Sequence, residues 1–192
     1  MCSEETVRAL LLEIALKDDQ SSFKQLYFHY YQRIFSFIKI YIKDTSNAEE
    51  VANEVFVSIW KKRTTFKDIR NFTAYIYRTA KNHSLNYIAK NKLPAHIDVE
   101  DINIDILSAD PSVIDHISGT EFSQKVNALI SKLPAKGRVI FKLIKNDDLS
   151  YQEVADLLNI SVKTVEYHMG VCLKLMAHGL NHVPYYMDKS KH

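Results

Sequence analysis

Between residues 23 and 42 the apolar positions fall at Phe23, Leu26, Tyr27, Tyr30, Tyr31, Ile34, Phe35, Ile38, Tyr41 and Ile42. Steps of three and four residues are the period of an amphipathic helix. Phe28, Phe37 and Ile40 lie off that stripe, so a second face of the helix is expected to pack as well. Ser46-Asn47-Ala48-Glu49 has the spacing of a capping box and predicts the start of the next helix. Its apolar stripe is Ala48, Val51, Ala52, Val55, Phe56 and Ile59, ending near Trp60. The opposite face carries Glu49, Glu50, Asn53, Glu54 and Lys61. A short basic loop, Lys61 to Asn71, leads into a third long helix over about Phe72 to Asn91. Phe72, Ile76, Ala80, His83 and Tyr87 share one of its faces.

The pattern lapses over residues 93–118. Pro94 and Pro111 bracket scattered aspartates, with no lysine or arginine and no sustained period, which describes an acidic linker. Helical period then returns, first over about Gly119 to Lys132. Leu133-Pro134 opens another helix, with Pro134 suited to the first helical position and Val139, Ile140, Leu143 and Ile144 facing inward. Ser150-Tyr151-Gln152-Glu153 is a second capping box, followed by apolar Val154, Ala155, Leu157 and Leu158. Asn159-Ile160-Ser161 makes a tight turn, and Ser161 caps a last helix with the stripe Val165, Met169, Cys172, Leu173 and Met176. The expected fold is all-α. Two small helical domains, residues 1–92 and 119–178, are joined by the acidic linker 93–118, and a frayed tail covers 179–192.

Composition narrows the class. Only four glycines occur in 192 residues, well under the ~7% of an average chain, which agrees with a helical protein of few turns. Two cysteines, Cys2 and Cys172, give no disulfide framework and point to a reducing cytoplasm. The N-terminus has Glu4 and Glu5 and no basic region before a long apolar run, so it does not read as a signal peptide. The most apolar stretch, Ile34 to Ile42, is interrupted by Lys39 and is too short to span a bilayer. No membrane insertion is expected.

The net charge of +2 argues at first against a nucleic-acid binder. Its distribution reverses the argument. Residues 61–92 hold Lys61, Lys62, Arg63, Lys67, Arg70, Arg78, Lys81, Lys90 and Lys92 against Asp68 alone, a net of +8. Residues 93–120 are at −6, residues 1–60 at −3 and residues 121–192 at +3. Within the basic block, Phe72, Tyr75, Tyr77 and Tyr87 alternate with Arg70, Arg78, Lys81, Asn82, Asn86 and Lys90. Cations track a phosphate backbone, aromatic rings stack on unpaired bases and asparagine reads base edges, so the block suits melted or single-stranded DNA. A solvated helix with its aromatics in the core is the alternative.

The two short capped helices around Asn159-Ile160-Ser161, with small Ala155 where they approach, form a helix-turn-helix. Its second helix would present Ser161, Val162, Lys163, Thr164, Glu166, Tyr167 and His168 to the major groove. Lys163 suits phosphate or guanine, Glu166 can accept from cytosine N4, and Lys174 lies nearer the backbone.

Taken together these segments resemble an RNA polymerase sigma factor of the extracytoplasmic-function group, in the sigma-70 family. Phe23-Lys24-Gln25-Leu26-Tyr27-Phe28-His29-Tyr30-Tyr31 resembles the family's opening helix. Residues Ala48 to Trp60 resemble the helix that docks on the polymerase clamp, and Phe72 to Asn82 the −10 element reader. Leu133-Pro134, Arg138-Val139-Ile140-Phe141, Leu149 to Ala155 and Ser161 to Glu166 resemble the −35 reader. The resemblance implies a transcription initiation factor that is not an enzyme, with no cofactor and no small-molecule substrate. It implies core RNA polymerase as a partner through its clamp helices and flap, with Glu49, Glu50, Asn53, Glu54, Ser58 and Lys61 on the clamp side. It further implies promoter DNA, with a flipped −10 base held against Phe66, Lys67, Asp68, Arg70, Asn71 and Asn82, and an anti-sigma factor. The linker would run near the RNA exit path, where it either mimics nucleic-acid charge or merely tethers. Tyr75 stands where many relatives have tryptophan, Asn86 where many have aspartate, and Cys172 where a small alanine is usual. Gly170 inside the last helix is a further departure.

Two other classes remain open from the residues alone. A one-component regulator would use the helix-turn-helix without polymerase, but leaves the 61–92 block and the Trp60 helix unexplained. A helical nuclease could use Glu49, Glu50 and Glu54, although acids at a helix start are also favoured there by the macrodipole. His168 and Cys172, or His178 and His182, are spaced i, i+4, yet neither pair has further ligands at structural-zinc spacing, so no metal is expected. The acidic and basic segments carry one prediction. The isolated chain should bind promoter DNA weakly at physiological salt, because linker and basic surfaces compete for each other. A tight complex in a filter-binding titration without polymerase would contradict it.

Overall fold

The computed structural model describes residues 4–91 and 121–181. Every element among them is helical. The chain divides into two compact units, Met1–Asp110 and Pro111–His192. The expected linker, residues 93–118, lies outside the described residues.

The first unit begins with α1 (Glu4–Lys17), which the periodicity did not single out. Asp18 turns the chain with a positive φ of 53°. Then α2 (Gln20–Tyr41) starts at Asp19, whose carboxylate accepts from the Ser21 and Ser22 amides. Leu26, Tyr30, Ile34 and Ile38 are buried along its core face. Phe37 and Ile40 are buried too, so the second packed face is present, but Phe28 is 68% exposed and belongs to neither. Lys39 is buried at the end of α2, where its ammonium donates to the Lys43 carbonyl and to Thr45 Oγ1. It ties the end of α2 to the start of the next helix. That helix, α3 (Thr45–Lys61), is capped by Asp44, whose side chain accepts from the Asn47 amide at 2.8 Å. The expected cap at Ser46 is therefore two residues late. The whole predicted stripe from Ala48 to Ile59 is buried.

What looked like a basic loop is a 3-10 turn, Arg63–Asp68, followed by α4 (Phe72–Lys90). Phe66 is 1% exposed and packs edge-on against Phe72 at 5.3 Å. Phe72 also meets Tyr30 at 5.5 Å, and the Tyr30 hydroxyl bonds Thr73 Oγ1 at 2.8 Å. Helix α1 packs on the 3-10 turn, α2 packs on α1, α3 and α4, and α3 packs on α4.

The second unit contains α5 (Glu121–Ser131), α6 (Ala135–Lys145), α7 (Tyr151–Leu158) and α8 (Val162–Asn181). Pro134 is the N-cap of α6 rather than its first residue, with an extended ψ of 145°. Arg138 is buried and donates to the Ser131 and Leu133 carbonyls, closing the α5–α6 corner. The second capping box is complete. Ser150 accepts from the Glu153 amide while Glu153 accepts from the Ser150 amide. Asn159 ends α7 in the left-handed conformation, φ 56° and ψ 45°, a role that asparagine fills well. In α8, Val165, Met169, Cys172 and Met176 are buried, whereas Leu173 is 48% exposed and falls outside the expected stripe. The helix runs to Asn181, beyond the end expected at His178; residues 182–192 lie outside the described residues.

Helix α8 packs on α5, α6 and α7. Its approach to α6 is close. A Cβ placed on Gly137 would lie 2.7 Å from Cys172 Sγ. A Cβ on Gly170 meets nothing within 4 Å. The two glycines therefore differ in sign. Gly170→Ala should stabilise the second unit by about 0.5–1 kcal/mol. Gly137→Ala should destabilise it by about 1–2 kcal/mol through overpacking. In a Cys172→Ala background Gly137→Ala should become stabilising, and urea titrations of the four variants test that reversal.

Candidate nucleic-acid interface

Helix α8 sorts the residues expected in the major groove. Lys163, Glu166, Tyr167 and Lys174 lie on one face with Gly170 between them, and the four side chains are exposed, Tyr167 by 68%. Ser161 and Thr164 are engaged in the helix start. The Thr164 amide donates to Ser161 Oγ at 3.0 Å, and the two hydroxyls meet at 2.8 Å. Val162 is half-buried. His168 is half-buried against Tyr167, with ring centroids 5.4 Å apart. Burial, and then the Lys136 ammonium, push its imidazole below the ordinary histidine value.

In α4, Tyr75, Arg78, Asn82 and Asn86 form a strip along one face. The opposite arc, Phe72, Ile76, Tyr77, Ala80, Ser84 and Ile88, is buried. Phe72 and Tyr77 are thus core residues, while Tyr87 is half-buried. Tyr75 is half-buried too, and burial raises its phenol above the ordinary value. Asn71 begins the strip as N-cap, accepting from the Ala74 amide at 2.9 Å. Lys67, Asp68 and Arg70 are exposed on the preceding turn. Lys81 stands on the flank of the strip, half-buried. Phe66 is in the core, so its ring offers no surface to a base; it supports the turn from below.

The α3 face has Glu49, Glu50, Asn53, Glu54 and Lys61 exposed and Ser58 half-buried. Glu54 reaches His83 of α4 at 3.6 Å. Val57, in the middle of this polar face, is 52% exposed. Beside it, the Tyr27 hydroxyl donates to Asn53 Oδ1 at 3.5 Å and the Tyr27 ring stands edge-on to exposed Phe28 at 5.7 Å. Half-buried Tyr27 and Tyr31 stack at 4.9 Å along the α2–α3 seam, over Phe56. The face therefore carries one exposed apolar residue, Val57, among its acids, and Phe28 is exposed on α2. Charge counting missed Val57, Phe28 and Tyr27; an apolar residue isolated on a polar helix face was the available signal. Among the described residues no three His, Cys, Asp or Glu side chains gather as a metal site would need. No helix among them is long and apolar enough to cross a membrane.

A histidine that is disfavoured as a cation stabilises the fold fully above its ordinary pKa and loses that contribution as pH falls below it. In a proton NMR titration His168 should protonate below the usual ~6.5, Lys136→Gln should raise that midpoint part of the way, and melting of the second unit should fall on acidification from pH 7 to 5.

Residues 26–93 match the family described as Sigma-70 region 2, and residues 123–170 match Sigma-70, region 4. The chain is 28% identical over 157 residues to the ECF RNA polymerase sigma factor SigW of Bacillus subtilis, covering 78% of this chain and 84% of that protein. It is 28% identical over 171 residues to the ECF RNA polymerase sigma-E factor of Escherichia coli K12, covering 85% and 88%. Among solved structures, CnrH in complex with the cytosolic domain of CnrY aligns with a TM-score of 0.44 at 19% identity, over 92% of this chain and 97% of that one.

Proposed function

The chain belongs to the sigma-70 family as an RNA polymerase sigma factor of the extracytoplasmic-function group, and from that membership we propose how its exposed residues divide the task of directing polymerase to promoters. Sigma factors are initiation factors rather than classical enzymes, so the work is binding and positioning.

The α3 face docks on the clamp helices of core polymerase. Its exposed Val57, with Phe28 of α2, supplies buried area, and Glu49, Glu50, Asn53, Glu54 and Lys61 supply orientation. The α4 strip of Tyr75, Arg78, Asn82 and Asn86, with Lys67 and Arg70 on the turn, holds the melted −10 strand. Lys163, Glu166, Tyr167 and Lys174 read the −35 duplex from the major groove. Domain limits at 92 and 119, an acidic tether between them, a cytoplasmic site of action and an anti-sigma factor that covers these surfaces complete the reading.

The observation that carries it is the pairing of two differently built DNA-facing strips, one with an aromatic ring and asparagines, one at the start of a capped recognition helix. A regulator acting without polymerase would need only the second. Run-off transcription with core enzyme on a promoter library tests the assignment. Reversing Glu49, Glu50 and Glu54 to lysine should abolish core binding. Replacing Lys163 and Glu166 should change −35 preference and leave core binding intact. Undiminished core binding in the first variant would remove the α3 face from the interface.

A further inference from the structure

Arg63 sits among Lys61, Lys62, Lys67 and Arg70 in the basic block, and by charge alone it belongs with them. Its surroundings differ. Those four residues are exposed, whereas the Arg63 side chain is 25% exposed. Its Nε donates to Asp18 Oδ1. A terminal nitrogen donates to the Trp60 carbonyl at 3.2 Å. The guanidinium plane lies over the Trp60 ring, 4.6 Å from its centroid, and Trp60 leans on Phe23 at 4.9 Å. Two of its donors and the flat face of the cation are therefore engaged within the protein.

Asp18 is placed for this by the backbone. It is the single residue between α1 and the cap of α2, held at φ 53°, a conformation that aspartate and asparagine tolerate better than most side chains. The Arg63 guanidinium beside it keeps its carboxyl below the usual carboxylate range, so the pair is ionic near neutral pH. Arg63 is also the first residue of the 3-10 turn, and α1 packs on that turn. Asp18 and all of α1 precede residue 26, where the match to region 2 begins.

We propose that Arg63 is a positioning residue and not a phosphate contact: with Asp18 and Trp60 it ties the start of the 3-10 turn to the α1–α2 corner, which sets where Lys67, Arg70 and Asn71 meet the −10 strand. The proposal rests on the reading of the turn and the α4 strip as the −10 reader. An ion pair with one largely solvent-exposed partner does little for overall stability. Its effect lies in the population of the turn that is correctly placed.

The test uses the full chain with core polymerase and a promoter probed by permanganate. Asp18→Asn keeps a side chain suited to the left-handed backbone and removes the charge. It should lower promoter opening about fivefold, the low end for a coupling between two sites, with core binding and −35 preference unchanged. Arg63→Gln should do the same, and the double variant should be no worse than either single one. Arg63→Lys retains the charge but loses the fork and the stacking, so it should not restore opening. Salt dependence separates the two roles. Arg70→Gln should reduce the slope of log affinity against log salt by about one, while Arg63→Gln should leave it unchanged. A reduced slope for Arg63→Gln, normal opening by Asp18→Asn, or additive losses in the double variant would each overturn the proposal. Asn82→Ala is the control for the underlying reading. If it too opens the promoter normally, that reading falls and the proposal with it. If Asn82→Ala fails to open and Asp18→Asn succeeds, the proposal alone is wrong.

Discussion

Phe72 lies between Tyr30 and Phe66, and the geometry of the first unit follows from that contact. Three aromatic rings from α2, the 3-10 turn and α4 meet edge-on at 5.3 and 5.5 Å. Edge-to-face packing of this kind is directional as well as apolar. It fixes the first turn of α4 against α2, and Asn71, immediately before it, caps the helix at that point. Once Phe72 is fixed inward, 3.6 residues per turn place Ile76, Ala80 and Ser84 inward as well. Tyr75, Arg78, Asn82 and Asn86 are thereby turned outward. The strip proposed for the −10 strand is the complement of the core stripe, and both are set by the same anchor.

The second unit solves its packing differently. Here one helix, α8, touches three others with one half and leaves its other face exposed. Gly137 lets α6 come close enough to α8 for Cys172 to fill the space that a Cβ would otherwise occupy. Cys172 is fully buried, and burial pushes its thiol up, which suits a packing residue and not a reactive one. A glycine on one helix thus matches a side chain larger than alanine on the other.

Much of this was legible in the sequence. The stripes of α2 and α3, the Ser150–Glu153 box and the turn at Asn159 depend on local spacing, and local spacing is what a sequence displays. The failures are also physical. In α1, Ala9 to Leu12 and Ile14 to Leu16 form nearly continuous apolar runs, with Leu12 and Leu16 exposed beside buried Leu10, Leu11 and Ile14, so no stripe stands out. Asp44 and Ser46 are both able caps two residues apart; Lys39, bonded to Lys43 and Thr45, starts the helix at the earlier one. Leu173 has the spacing of a core residue, but no helix among the described residues covers its side of α8. The residues proposed to face DNA stand out in the sequence as charge and type. Which of them are used internally does not stand out, because Phe66, Thr164 and Arg63 are engaged by partners that only the fold brings near.

The chain has one tryptophan, and it is Trp60. Its indole lies under the Arg63 guanidinium and against Phe23, at the junction of α2, α3 and the 3-10 turn. Light absorbed selectively by tryptophan is therefore emitted from a single place in the first unit, while the helix-turn-helix is optically silent in that band. Intrinsic fluorescence of the unlabelled protein thus reports on the corner from which the 3-10 turn departs, with no reporter group to introduce and no second signal to subtract.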